Sequence, residues 1–308
     1  MSSALSRVDG IAAPLVSTGW RGIFNDYFEL TKPRIIYLLL ITTFAGMMMA
    51  QRGLPPFWLT VCTLAGGALA SASAGAFNCV WDRDIDRLMR RTRTRPLAAG
   101  RMSVSSALVF GAVSGALSFV LLLAFVNPLA AWLAVAGNAF YVFVYTIWLK
   151  RRTPLNIVIG GAAGALPPLV GWAAVTGALG WPAVALFLLI FLWTPPHFWA
   201  LALMTNIDYD KARIPMLPNV AGVERTKREI FTYSIVLVAM SLALYPLHVM
   251  GPCYFGAAAI LGGIFVFDAW KLFGETGKRW PRALFKYSLL YLALMCVAMV
   301  ADRIIKIA

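Results

Sequence analysis

Along the chain, hydrophobic positions gather into long runs, and polar positions fill the breaks between them. The runs fall at about 35–51, 56–78, 104–126, 129–149, 155–176, 182–204, 230–249, 253–273 and 284–302. At about 1.5 Å of rise per helical residue, each can cross the hydrocarbon core of a bilayer. The pattern predicts an all-α, polytopic membrane protein of about nine transmembrane helices. One intramembrane domain is expected over 35–308, after an N-terminal tail over 1–34.

The tail mixes Arg7, Asp9, Arg21, Asp26, Glu29 and Lys32. It lacks a short apolar core followed by a small-residue cleavage site, so no cleaved signal peptide is expected. Tyr27 to Arg34 reads as an amphipathic lead-in on the membrane surface. Pro33 then stands near the start of the first span, where a missing N–H costs least.

The breaks alternate in character. Those after the second, fourth, sixth and eighth spans are long or strongly charged, and the others are short and nearly neutral. With the tail on the charged side, that side holds all but Arg52, Arg303 and Lys306 of the 27 Lys and Arg. This bias predicts that the N-terminus and the charged loops are cytoplasmic.

Composition narrows the class further. With 60% hydrophobic and 13% charged residues, a soluble domain is excluded. The net charge of +14 does not indicate nucleic acid, because the basic residues sit where membrane topology uses them. Cys62, Cys79, Cys253 and Cys296 are scattered without a C-x-x-C pair and read as small buried side chains. The small-residue patterns Gly111-x-x-x-Gly115 and Gly160-x-x-x-Gly164 predict close helix packing. Pro167-Pro168 and Pro195-Pro196 are expected to kink or interrupt their spans.

Carboxylates are costly in a membrane and informative when they cluster at its edge. The end of the second span reads Asn78-Cys79-Val80-Trp81-Asp82-Arg83-Asp84-Ile85-Asp86. Asn78, Asp82 and Asp86 share one helical face, about 6 Å apart per step, while Asp84 points away. Such an oxygen row suits Mg²⁺, which takes one or two carboxylates plus waters and phosphate oxygens. The plainer alternative is a solvated helix end with its acids paired to arginines. Arginines follow in number, among them Arg93 and Arg95, and guanidinium groups complement diphosphate oxygens.

A second charged segment, Asn206 to Pro218, lies on the same membrane face and contains Asp208, Asp210 and Lys211. It is either the other half of a diphosphate site or an ordinary polar loop. His197, after Pro195-Pro196 and among aromatic residues, is either a hydrogen-bonded helix histidine or a functional ligand. Trp81, Trp148, Trp172, Trp181, Trp193 and Trp199 read mostly as interface anchors, with Trp193 and Trp199 also placed to line a cavity. His248 reads as an interface residue.

The first acidic segment resembles the N-x-x-x-D-x-x-x-D signature of the UbiA-type intramembrane prenyltransferases, and its continuation through Arg93-Thr-Arg-Pro-Leu adds to the match. Further blocks are similar to the heme-modifying branch of that family. They are Tyr145 to Gly161, Pro167 to Trp172, Trp193-Thr-Pro-Pro-His-Phe-Trp199 and Ile214-Pro-Met-Leu-Pro218. One departure is visible. The family's second motif is D-x-x-x-D, whereas the residue four beyond Asp208 is Ala212.

The resemblance implies a helical bundle around a central cavity, in the cell inner membrane. It implies farnesyl diphosphate and heme b as substrates and Mg²⁺ as cofactor. Asn78, Asp82, Asp86 and Asp208 are the implied metal ligands. Lys150, Arg95, Lys32, Lys211 and Arg93 would attend the diphosphate, with His197, Trp199 and Asn156 near heme. A heme A synthase or a terminal oxidase assembly protein is the implied partner. The alternatives are prenylation of an aromatic acid, a quinone precursor or chlorophyllide, a secondary transporter, and a heme-binding assembly factor without catalysis.

Overall fold

The computed structural model describes residues 19–274 and 276–305. Among these there is no strand. The helices are α1 (Trp20–Leu30), α2 (Pro33–Gln51), α3 (Phe57–Trp81), α4 (Arg83–Leu88), α5 (Val104–Phe125), α6 (Pro128–Ala139), α7 (Asn156–Ala165), α8 (Pro167–Thr176), α9 (Trp181–Lys211), α10 (Leu217–Val220), α11 (Val223–Ala243), α12 (Pro252–Lys271) and α13 (Arg279–Ile304). Helix α6 runs on as a π-helix over Phe140–Leu149. Taking α6 with its π-helical end, and α7 with α8, gives nine crossing units among the described residues. Eight of them are long and apolar enough to span a membrane on length and composition alone. The ninth is α11, whose first turns carry Glu224, Arg225, Lys227, Arg228 and Glu229. The expected span at 230–249 therefore starts earlier as a helix and ends earlier, because the chain leaves the helix after Ala243.

Apolar side chains cover the outside of the bundle. On α5, Val109, Val113, Leu117 and Val120 are all more than half exposed, which only a lipid surround makes favourable over so many helices. Trp81, Trp148 and Trp181 are exposed near helix ends, as interface anchors are. Trp172 is a correction to that reading. It is 7% exposed, and its ring lies against Gly180, where a Cβ would stand 2.8 Å from it.

Close packing is set by small residues. Gly111 and Gly115 of α5 lie against Ala76, Phe77 and Ser73 of α3. Gly46 of α2 and Gly171 of α8 meet backbone directly: a Cβ would fall 2.3 Å from Pro168 O and 2.0 Å from Thr43 O. Pro167 does separate α7 from α8. Pro195-Pro196 does not interrupt α9, which continues through it and departs from helical geometry at Thr205 instead (φ −123°, ψ 18°).

The lead-in also differs from expectation. Helix α1 starts before Tyr27 and ends at Leu30, exposing Trp20, Ile23, Phe24 and Phe28 while burying Asp26 and Leu30. Arg101 ties it down, donating to Asp26 at 2.8 Å and Glu29 at 3.1 Å. Arg7 and Asp9 lie outside the described residues.

Candidate active site

Three local features bring the first acidic segment together. Asp82 takes non-helical angles (φ −88°, ψ 1°) between α3 and α4, yet the bonds Asp82 N–H to Asn78 O and Asp86 N–H to Asp82 O survive at 2.9 and 2.8 Å. Asn78, Asp82 and Asp86 thus keep one face across the break. They are 1%, 0% and 3% exposed.

The second feature is the junction of α1 and α2. Pro33 disfavours the right-handed helical region for Lys32, which adopts a left-handed conformation (φ 58°). Gly75 lets the carbonyls of Leu30 and Thr31 approach α3, and the Lys32 ammonium donates to Asn78 Oδ1.

The third is the π-helix. Its widened turn, with Lys150 N–H on Tyr145 O at 2.9 Å, carries Thr146 and Lys150 to the end of α3. Asn78 Nδ2 donates to Thr146 Oγ1 at 2.9 Å and to Asp82 Oδ2 at 2.8 Å, and Lys150 donates to the same Asp82 oxygen.

Every acid of the segment therefore has a cation beside it. Arg95 Nη1 reaches both oxygens of Asp86, at 2.7 and 3.0 Å. Asp84 points outward and takes both arms of Arg151 at 2.7 Å, which hold its carboxyl below the ordinary carboxylate value. Burial lowers Lys32 to about 8, with Cys79 and Asp82 opposing. Burial also acts against Lys150, but Asp82 and Tyr145 outweigh it and hold its ammonium above the usual lysine value.

One carboxylate oxygen is left over. Asp82 Oδ1 is buried without a hydrogen bond, and an Arg151 nitrogen stands 3.9 Å away. A buried charged oxygen without a partner is costly. It fits a divalent cation, and the Asn and Asp oxygens around it are the hard donors that Mg²⁺ prefers. Among the described residues, no three His, Cys, Asp or Glu side chains form a ready-made cage. A cation held there would take its remaining oxygens from water or substrate.

The second segment packs against the first. Ile85 and Met89 share an apolar cluster with Tyr209, Ala212, Ile214 and Met216. Asp208 is half-buried, whereas Asp210, Lys211 and Arg93 are exposed.

His197, 6% exposed, lies between the rings of Trp193 (4.3 Å) and Phe285 (4.6 Å), with Nδ1 2.7 Å from Ser288 Oγ. Trp193 Nε1 donates to Ser288 O at 2.7 Å. Trp199 faces Tyr233 edge-on, and its buried Nε1 has no partner. Asn156 Nδ2 donates to Thr153 O at 2.6 Å, leaving its buried Oδ1 unpaired. On α7, Gly160 meets the Tyr145 ring, and Gly164, one turn on, has nothing within 4 Å of a Cβ position. Sequence reasoning missed Thr146, Arg151 and Ser288. The first two lie inside the block from Tyr145 to Gly161; Ser288 had no local signal.

Fold and site together define a multi-pass intramembrane enzyme with a buried carboxylate row at one end of its bundle. Residues 39–293 match the UbiA prenyltransferase family. The chain is 56% identical over 281 residues to the protoheme IX farnesyltransferase of Gloeobacter violaceus, covering 91% of this chain and 92% of that one. It is 53% identical over 284 residues to the protein of the same name from Trichodesmium erythraeum, covering 92% and 87%. The solved structure of a UbiA homologue from Archaeoglobus fulgidus bound to DMAPP and Mg²⁺ has the same fold. Its TM-score is 0.68 at 19% identity, over 91% of this chain and 99% of that one. The chain belongs to the UbiA prenyltransferase family, and within it to the protoheme IX farnesyltransferases.

Proposed function

We propose that the chain transfers the farnesyl group of farnesyl diphosphate to a vinyl group of heme b, with addition of water, to give heme O and diphosphate. The observation that carries this reading is the buried Asn78, Asp82 and Asp86 row with Lys32, Lys150 and Arg95 packed on it. Asn78, Asp82 and Asp86, with Asp208 from the adjoining segment, would hold Mg²⁺, which when bound supplies Lewis-acid neutralisation of the diphosphate.

The chain's own cations do the rest of the electrostatic work. Lys32, Lys150 and Arg95 hold the carboxylates in the resting site and are placed to turn to the diphosphate oxygens, stabilising charge on the leaving group. The C–O bond of farnesyl diphosphate breaks and its electron pair leaves with diphosphate. The terminal vinyl carbon of heme supplies the pair for the new C–C bond to the allylic cation. Water captures the cation left beside the porphyrin ring and loses a proton. No side-chain nucleophile is required. The apolar helices limit stray water and position the chain.

His197 would be the heme contact. Ser288 fixes its Nδ1, which leaves Nε2 for the iron, the usual outer-hydrogen-bond arrangement of a ligating histidine. Trp199 and Asn156, with their unpaired buried atoms, belong to the same proposed heme environment. The charge bias supports a row on the cytoplasmic side of the inner membrane. Heme O would pass to a heme A synthase or a terminal oxidase assembly protein.

Product analysis with purified protein, heme b, farnesyl diphosphate and Mg²⁺ tests the reading. A farnesylated hydroxyethyl heme is expected. Prenylation of a quinone precursor alone would show the acceptor to be wrong.

A further inference from the structure

The membrane face opposite the acidic row carries two described basic side chains of Lys or Arg type, Arg52 after α2 and Arg303 near the end of α13. Both line one cavity of about 350 Å³, together with Tyr245, His248 and Asp302. Topology sends nearly every other Lys and Arg of this chain to the other face, so topology does not account for two meeting here.

Both arginines face the same cavity, and Arg303 Nε is buried without a hydrogen bond. The one carboxylate in the cavity, Asp302, is committed elsewhere. It accepts from Gly251 N–H and, at 3.1 Å, from Tyr254 N–H, capping α12.

Backbone conformation points to the same place. Arg52 (φ 56°) and His248 (φ 57°) are two of four described non-glycine residues in the left-handed region. Gly53, which would tolerate that conformation, is adjacent to Arg52 but is not left-handed. Ile305, which lines the cavity, is 55% exposed, and Leu54 and Leu247, within two residues of the lining residues Arg52 and His248, are 78% and 67% exposed.

We propose that this cavity binds the phosphate of an anionic phospholipid headgroup from the leaflet opposite the acidic row. Two guanidinium groups against one committed carboxylate leave a net positive site, and arginine forks match phosphate oxygens. The apolar rim at the membrane edge suits the acyl chains and selects a lipid over a free anion.

Native mass spectrometry of the full-length protein, with equimolar phosphatidylglycerol and phosphatidylcholine, reads the site directly. Wild type is expected to retain phosphatidylglycerol, with retention falling about fivefold for each arginine replaced in Arg52→Gln and Arg52→Gln/Arg303→Gln. Arg52→Lys/Arg303→Lys keeps the charge and should keep most of the binding, which separates loss of a ligand from loss of fold. Arg52 is exposed, so its single substitution serves even where the double variant is unstable. Equal lipid retention by wild type and the glutamine variants would overturn the site. Displacement of the lipid by excess inorganic phosphate, with that phosphate binding in its place, would overturn the lipid assignment.

Discussion

Lys150 and Asp82, 68 residues apart, form an ion pair that ties the π-helical end of α6 to the break between α3 and α4. The Asp82 side chain is fully buried and that of Lys150 is 15% exposed. Removing one member of such a pair strands the other charge, at a cost of about 3–5 kcal/mol. Asp82→Asn and Lys150→Met should each lower the unfolding temperature in detergent, and the double variant should recover part of the loss. Both single variants should also lose product formation by at least about 100-fold, the scale for groups that stabilise transition-state charge. Full activity in Asp82→Asn would make the row structural.

Asp84 and Asp86 are two residues apart but should behave in opposite ways. Asp86 is buried and held by Arg95, whereas the Asp84 side chain is 59% exposed and meets Arg151 at the surface. Exposed ion pairs contribute at most about 1 kcal/mol. Asp84→Ala should therefore leave turnover within about threefold of wild type, while Asp86→Ala should lose about 100-fold or more. Steady-state rates with farnesyl diphosphate and heme b compare the two. Equal losses would mean that Arg151 belongs to the reacting centre rather than to its edge.

Much of this was legible in the sequence because membrane constraints are local. Nine apolar runs, a charge bias between loops and an i, i+4 acidic row all appear without any knowledge of tertiary contacts. What escaped was long-range or conformational. The pairing of His197 with Ser288 joins helices 91 residues apart with no pattern to announce it. The π-helical turn that delivers Thr146 and Lys150 has no composition signal, since Phe140–Leu149 reads as an ordinary apolar run. Pro195-Pro196 looked like a break, yet α9 carries through it and bends at Thr205. Trp172 looked like an anchor but fills the space that Gly180 leaves.

Ser288 should matter through His197. Its hydroxyl meets Nδ1 at 2.7 Å inside an aromatic sandwich. Ser288→Ala leaves a buried ring nitrogen unpaired, at about 1–3 kcal/mol of stability. With Nε2 as the proposed iron contact, that variant should shift the Soret band of the heme-loaded protein modestly, and His197→Ala should shift it fully to that of heme without a histidine ligand. An unchanged spectrum in His197→Ala would remove histidine from the heme site and leave it a packing residue.

Asp208 differs from the row in having no ion pair among the described residues, although its segment packs on Ile85 and Met89. In the resting site, protein cations satisfy most of the row, so the proposed metal would enter against Lys32, Lys150 and Arg95. A carboxylate on the segment packed against the row would favour that entry without being needed to hold the row together. Chelation with EDTA should abolish turnover, and added Mg²⁺ should restore it in both wild type and Asp208→Asn. The variant should need several-fold more Mg²⁺ for half-maximal rate, consistent with about 1 kcal/mol lost from one carboxylate at a partly solvated site. Its thermal stability should be unchanged, because Asp208 makes no ion pair among the described residues. An unaltered Mg²⁺ requirement with a lowered unfolding temperature would instead mean that Asp208 supports the fold of the segment and takes no part in metal binding.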